Sequence, residues 1–258
     1  MTLLVEAPAG RHFAQFHRDT AALTESAFVF LDAGLRDGHT LLIIAPTARV
    51  EQLFDRLAMG KVHPQSLLDS GQLALMDSSP IIDQLVAPGP NQGSGARFRG
   101  ILAPVLSRLS PYGRGTRIYS EIANVLWDAG ETAAAVRLED LWNALASAHT
   151  FSLFCGYKLD TQSEQSYAAP LEELGRTHSD ILGTQEDERF GAALDRASQE
   201  LFGIPLTQMT GVARLDGTRR FPSGQRTMLW IKRNLPTSTV QLVERARQYF
   251  QNADGGRV

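Results

Sequence analysis

T-R-I-Y-S-E-I-A-N-V-L-W-D-A-G (Thr116–Gly130), V-R-L-E-D-L-W-N-A-L (Val136–Leu145) and F-S-L-F-C-G-Y (Phe151–Tyr157) follow one another in this chain, and their reading decides the fold. Thr116–Ser120 is a short run with β-branched and aromatic residues, and Glu121 stands at its exit. Val136, Leu138, Leu141, Trp142 and Leu145 recur at three- and four-residue spacing, which predicts a helix. Arg137 and Glu139 do not both fit that stripe, so at least one of them faces elsewhere. Phe151–Tyr157 is apolar nearly throughout, as a strand covered on both faces should be. Two buried strands joined by a helix make a βαβ unit. A carboxylate at a strand tip in such a fold points toward the crevice where ligands bind.

The same alternation extends upstream. His12–His17 reads as a first strand after a partly ordered lead-in, Met1–Arg11. Thr20–Arg36 reads as a helix capped by Asp19 or Thr20, with Leu23, Ala27, Phe30, Leu31 and Leu35 on its apolar side. Thr40–Ala45 is the strongest strand, and Pro46 and Thr47 open another helix carrying Val50, Leu53, Phe54 and Leu57. Gln72–Met76 is a third strand, with Asp77 at its exit. Ala87–Ala96 (A-P-G-P-N-Q-G-S-G-A) is a loop before the helix Phe98–Leu109, either a lid over the strand ends or a plain surface connection. These elements predict an α/β protein, a mostly parallel sheet flanked by helices.

After Tyr157 the character changes. Leu171–Ile181 reads as a helix. From Glu186 onward, helices are expected at 188–201, 206–214, 223–233 and 240–250, with a boundary near Gly183–Asp187. The predicted organisation is therefore a domain over residues 10–183 and a small, locally basic α-helical C-terminal module over 186–258.

Composition narrows the function classes. The chain has 258 residues, 43% hydrophobic and 21% charged, in the range of soluble globular proteins. A net charge of −3 argues against nucleic acid or membrane as partner of the whole molecule. The single cysteine, Cys155, excludes an intrachain disulfide and fits a reducing compartment. The first ten residues have no basic stretch resembling a signal peptide, and no run reaches the ~18 apolar residues of a membrane span. A cytoplasmic protein is expected.

Catalytic and cofactor motifs are missing. A nucleotide site would need a glycine-rich loop and lysine after the first strand, where the chain has R-D-T-A-A-L (Arg18–Leu23). His12 and His17 fall on opposite faces of a strand, His149 and His178 are isolated in sequence, and Cys155 has no cationic neighbour. No metal, no cofactor and no catalytic residue is expected. What remains is a ligand-binding constellation: His12, Asp77, Glu121, Trp127, Arg137, Glu139 and Tyr157. Beside it stands the alternative that Glu121 and Arg137 form a structural ion pair and the tryptophans are core.

Five pieces in order resemble one family: H-F-A-Q-F-H (His12–His17), F-L-D-A-G-L-R-D-G-H-T-L-L-I-I-A (Phe30–Ala45), Y-S-E-I-A-N-V-L-W (Tyr119–Trp127), Val136–Leu145 and Phe151–Tyr157. Together with R-T-H-S-D-I-L (Arg176–Leu182), they are similar to the MEDS domain, the methanogen/methylotroph sensory domain of regulators like the dichloromethane-responsive repressor DcmR. The resemblance implies a degenerate RecA/KaiC-like fold without the phosphate loop, and a non-catalytic sensory role toward small organic compounds. It places the family's histidine on His12, its acids on Glu121 and Glu139, and its Cys/Tyr pair on Cys155 and Tyr157. His17 departs from the family, which often carries an aromatic there.

The expected function is a cytoplasmic sensor that binds a small organic ligand and signals to a protein partner through the helical module, with a homodimer as one possible form. Two rivals are a one-component DNA-binding regulator, which the basic module allows, and an enzyme using Glu121 as general base.

Overall fold

The structure, a computed structural model, describes residues 2–60, 63–86, 93–109, 114–167, 170–208 and 221–254. Six strands, β1 (His12–His17), β2 (Thr40–Ala45), β3 (Leu73–Asp77), β4 (Thr116–Ser120), β5 (Ser152–Lys158) and β6 (Asp180–Leu182), form one sheet in the order β3-β2-β4-β5-β1-β6. β2 runs parallel to both β3 and β4, and β4 parallel to β5. The helices are α1 (Thr2–Glu6), α2 (Thr20–Arg36), α3 (Thr47–Ala58), α4 (Pro64–Asp69), α5 (Ser78–Val86), α6 (Ser94–Leu109), α7 (Ile122–Asp128), α8 (Thr132–Ala146), α9 (Leu171–Thr177), α10 (Gln185–Phe202), α11 (Ser223–Asn234) and α12 (Thr239–Asp254). The expected α/β class, a parallel sheet flanked by helices with a helical C-terminal region, is what the chain forms.

Contacts divide the chain into two units: residues 1–14 with 19–158, and residues 15–18 with 159–258. In the first unit, β2 and β4 are buried at every position, as their apolar runs require of strands covered on both faces. Helix α2 lies on the face carrying Tyr119 and Phe154, where Phe30 meets Phe154 at 5.5 Å between ring centroids. Gly156 makes that approach possible, because a Cβ there would stand 2.4 Å from Leu23 Cδ1. Helix α8 covers the opposite face, over Cys155 and Tyr157.

Several expectations change. The lead-in folds as α1, and the carbonyls of Leu4 and Val5 at its end accept the buried guanidinium of Arg117 at 3.2 and 2.8 Å. Helix α6 begins at Ser94, inside the stretch read as a loop, and residues 87–92 of that loop lie outside the described residues. Leu171–Ile181 is not one helix: α9 stops at Thr177, His178 is extended, and β6 follows. Of the helix expected at 206–214, a 3₁₀ turn covers Leu206–Gln208, and the remainder lies outside the described residues.

In the second unit α10 packs against α11 and α12, and Phe190 meets Phe250 edge-on at 6.0 Å. Phe190, Leu194, Leu229, Trp230, Leu242 and Phe250 are buried there, as their helical spacing predicts, and so is Leu206 in the 3₁₀ turn. Helix α10 starts with a capping box between Thr184 and Asp187, at the compositional boundary near Gly183.

Candidate functional site

Two buried polar clusters lie on opposite faces of the first unit's sheet. The register that pairs Ser120 with Cys155 and Tyr119 with Phe154 sets their separation. Paired residues of adjacent strands share a face and successive residues alternate. Tyr119 therefore points toward α2, and Cys155 and Tyr157 toward α8.

On the α2 face, Glu121 follows the last residue of β4 and is 3% exposed. Its Oε1 accepts from Arg49 Nε and from the Tyr119 hydroxyl, each at 2.7 Å. Arg49, on α3, also donates from Nη1 to the Thr20 carbonyl, the Thr24 hydroxyl and Gln52 Oε1, so one guanidinium ties α2, α3 and the end of β4 together. Burial pushes the Glu121 carboxyl above its ordinary range, and Arg49 pulls it back in part. Burial first, then Glu121 itself, hold the Tyr119 phenol well above its usual value.

On the α8 face, His12, Glu139, Cys155 and Tyr157 converge from β1, α8 and β5. His12 Nε2 lies 3.1 Å from Glu139 Oε2 and 3.3 Å from Cys155 Sγ, and Cys155 Sγ lies 3.4 Å from Glu139 Oε2. The Tyr157 hydroxyl donates to Glu139 Oε1, and His12 Nδ1 bonds Asn143 Oδ1 at 3.0 Å. Glu139 is fully buried, Cys155 1% and His12 6% exposed. Burial, followed by the Glu139 carboxylate, raises the Cys155 thiol and the Tyr157 phenol well above their ordinary values. A nitrogen, an oxygen and a sulfur this close together are a donor set that a metal ion accepts.

The seven residues read as one constellation thus occupy several places. His12, Glu139 and Tyr157 come together, and the Trp127 ring meets Tyr157 edge-on at 6.3 Å. Glu121 is on the other face. Asp77 caps the start of α5, accepting from the Ser79 amide at 2.9 Å and from the Thr47 hydroxyl at 2.7 Å; the Thr47 bond, then Ser79, holds its carboxyl below the ordinary value. Arg137 is exposed and lines a cavity of about 110 Å³ together with Ile82, Leu85, Ser94, Leu126, Ala134, Leu138 and Leu141. Arg49 is Glu121's partner, where Arg137 was the candidate for a structural ion pair.

Sequence reading missed Arg49, Asn143 and the part Cys155 plays. Arg49 is a charged residue on an amphipathic helix, and nothing local distinguishes it from its solvated neighbours. Asn143 carried one available signal, its position four residues after Glu139 on α8, where side chains meet.

A family model described as MEthanogen/methylotroph, DcmR Sensory domain (MEDS) matches residues 11–179. No curated protein matches the chain. The model spans the strand bearing His12, the strand before Glu121, and the α8–β5 pair bearing Glu139, Cys155 and Tyr157. With well over half of the 258 residues matched, the chain belongs to the MEDS family and carries a MEDS sensory domain.

Proposed function

We propose that the protein is a non-catalytic cytoplasmic sensor that takes up a small organic compound in its first unit and passes the signal to a protein partner through its C-terminal helices. Membership of a sensory family carries this reading. The cavity lined by residues of α5, α6, α7 and α8 supports it: six apolar side chains line it, with Ser94 and Arg137 as polar groups. At about 110 Å³ it is smaller than the ~150 Å³ apolar cavity that takes benzene, so it suits a compound of a few heavy atoms. Occupancy signals only if the ligand binds one conformational state better than another.

Against an enzyme stands the engagement of Glu121 by Arg49 and Tyr119, which suits a structural tie better than a general base. For the helical unit, docking is favoured over DNA reading because several of the described cations are occupied locally. Arg245 pairs with Glu200 and Arg233 with Glu172, while Arg196 lies over the Tyr249 ring. Among the described residues no helix is long and apolar enough to cross a membrane.

Titration calorimetry with short alcohols, halomethanes and small carboxylates tests the ligand reading, using the native protein and Leu141→Trp, which fills the cavity. Binding by the native protein and loss in the variant are expected. No binding across the panel, or equal binding by both, refutes it. Fluorescence anisotropy with DNA flanking the gene tests the output reading. Sequence-selective affinity that survives about 200 mM salt would make the tail a DNA reader instead.

A further inference from the structure

We propose that His12 Nε2, Glu139 Oε2 and Cys155 Sγ form a binding site for one zinc-class divalent metal ion. The inference stands apart from the organic-ligand reading and uses a different part of the first unit.

Spacing is the first argument. The three donor atoms are 3.1, 3.3 and 3.4 Å apart. Tetrahedral zinc, with bonds of about 2.0–2.1 Å to nitrogen and oxygen and about 2.3 Å to sulfur, separates its ligand atoms by about 3.3–3.6 Å. The donors already outline one face of such a tetrahedron, and shifts of a few tenths of an ångström would admit the ion.

The atoms behind the donors are placed as a metal site needs. The Asn143 carbonyl oxygen accepts from His12 Nδ1, which holds the proton there and turns the Nε2 lone pair toward Glu139 and Cys155. The Tyr157 hydroxyl occupies Glu139 Oε1 and leaves Oε2 toward the other two donors. All three ligands sit on a strand or within a helix, where neighbouring packing holds their rotamers.

Ligand type sets the metal class. A thiolate and an imidazole with one carboxylate suit zinc and its borderline neighbours, and disfavour magnesium and calcium, which take oxygen ligands. The thiol proton passes to solvent as the ion enters, and the resulting Cys155 thiolate and Glu139 carboxylate offset its two positive charges. The rival account is a metal-free hydrogen-bonded triad, since the same distances also suit hydrogen bonds.

The test uses the full-length protein, stripped with a chelator and titrated with Zn²⁺ or Co²⁺ alone. One equivalent per chain is expected, and the cobalt form should show a thiolate-to-metal charge-transfer band with tetrahedral ligand-field absorption. Cys155→Ser should abolish the charge-transfer band. Asn143→Leu, at an exposed position of α8, should keep the band and weaken affinity about 10–100-fold, because Asn143 holds the His12 ring through Nδ1. Failure of the folded protein to bind a stoichiometric ion, or a charge-transfer band that persists in Cys155→Ser, overturns the proposal. Should Cys155→Ser not fold, Asn143→Leu decides by itself: unchanged affinity overturns the site and the predicted loss supports it. Leu141→Trp keeps metal binding under this proposal even where it abolishes uptake of the organic compound, so the two readings fail separately.

Discussion

Replacing Arg49 by methionine strands the Glu121 carboxylate in the interior, and the consequences follow from the geometry. At 2.7 Å, Arg49 Nε and Glu121 Oε1 attract each other by about 6 kcal/mol at an effective dielectric constant of 20. Both side chains are almost fully buried, so their desolvation cancels much of that gain. Removing one partner leaves the desolvation of the other uncompensated, and a loss of about 3–5 kcal/mol is expected near neutral pH. The pH dependence has a definite sign. Burial already holds the Glu121 carboxyl above 4.5, and Arg49 is the strongest influence pulling it down, so Arg49→Met moves it further up. A carboxyl whose folded value exceeds its unfolded value favours the native state most when protonated. The penalty is therefore absent below about pH 4.5 and grows as pH rises through the folded value. Urea denaturation at about pH 5 and about pH 7.5 should show a smaller gap between Arg49→Met and the native protein at the lower pH. Arg49→Met combined with Glu121→Gln should recover about 0.5–3 kcal/mol relative to Arg49→Met alone. A double variant no more stable than Arg49→Met, with a gap independent of pH, would refute the assignment of this pair as a buried ion pair.

Two further substitutions probe the packing. Gly156→Ala places a Cβ 2.4 Å from Leu23 Cδ1 and 2.9 Å from the Tyr119 hydroxyl, so a loss of about 1–3 kcal/mol in urea denaturation is expected, and wild-type stability would contradict the close approach of α2. Thr184→Ala removes the oxygen that accepts the Asp187 amide at 3.1 Å and should cost about 0.5–2 kcal/mol, with Thr184→Ser restoring most of it; equal stability of all three forms would show that the cap contributes nothing.

Much of the architecture was legible because it depends on local periodicity. Apolar runs at Thr40–Ala45 and Phe151–Tyr157, with helical spacing between strands, are enough to predict a parallel sheet covered by helices. The helical C-terminal region likewise follows from its spacing, and the family resemblance from short pieces in a fixed order. The candidate site was legible only in part. The sequence points to His12, Glu139 and Tyr157, but together with residues the fold sends elsewhere. Glu139 lies on the buried stripe of α8 with Ala135, Leu138, Trp142 and Leu145, whereas a reading that counts apolar residues draws the stripe through Val136.

Which side chains meet is fixed by how the strands and helices assemble. Alternation along β4 puts Tyr119 and Glu121 on one face, and alternation along β5 puts Cys155 and Tyr157 on one face. Whether those faces coincide depends on the register between the strands, and the pairing of Ser120 with Cys155 makes them opposite. A slip of one residue would have joined Glu121 to the cluster around Glu139. That register belongs to the pair of strands and cannot be read from either strand alone. The meeting of His12 with Cys155, 143 residues later, depends equally on β1 pairing beside β5. Local sequence specifies each element and the face it buries; the contacts between distant elements, and hence the chemistry, arise only when those faces are assembled.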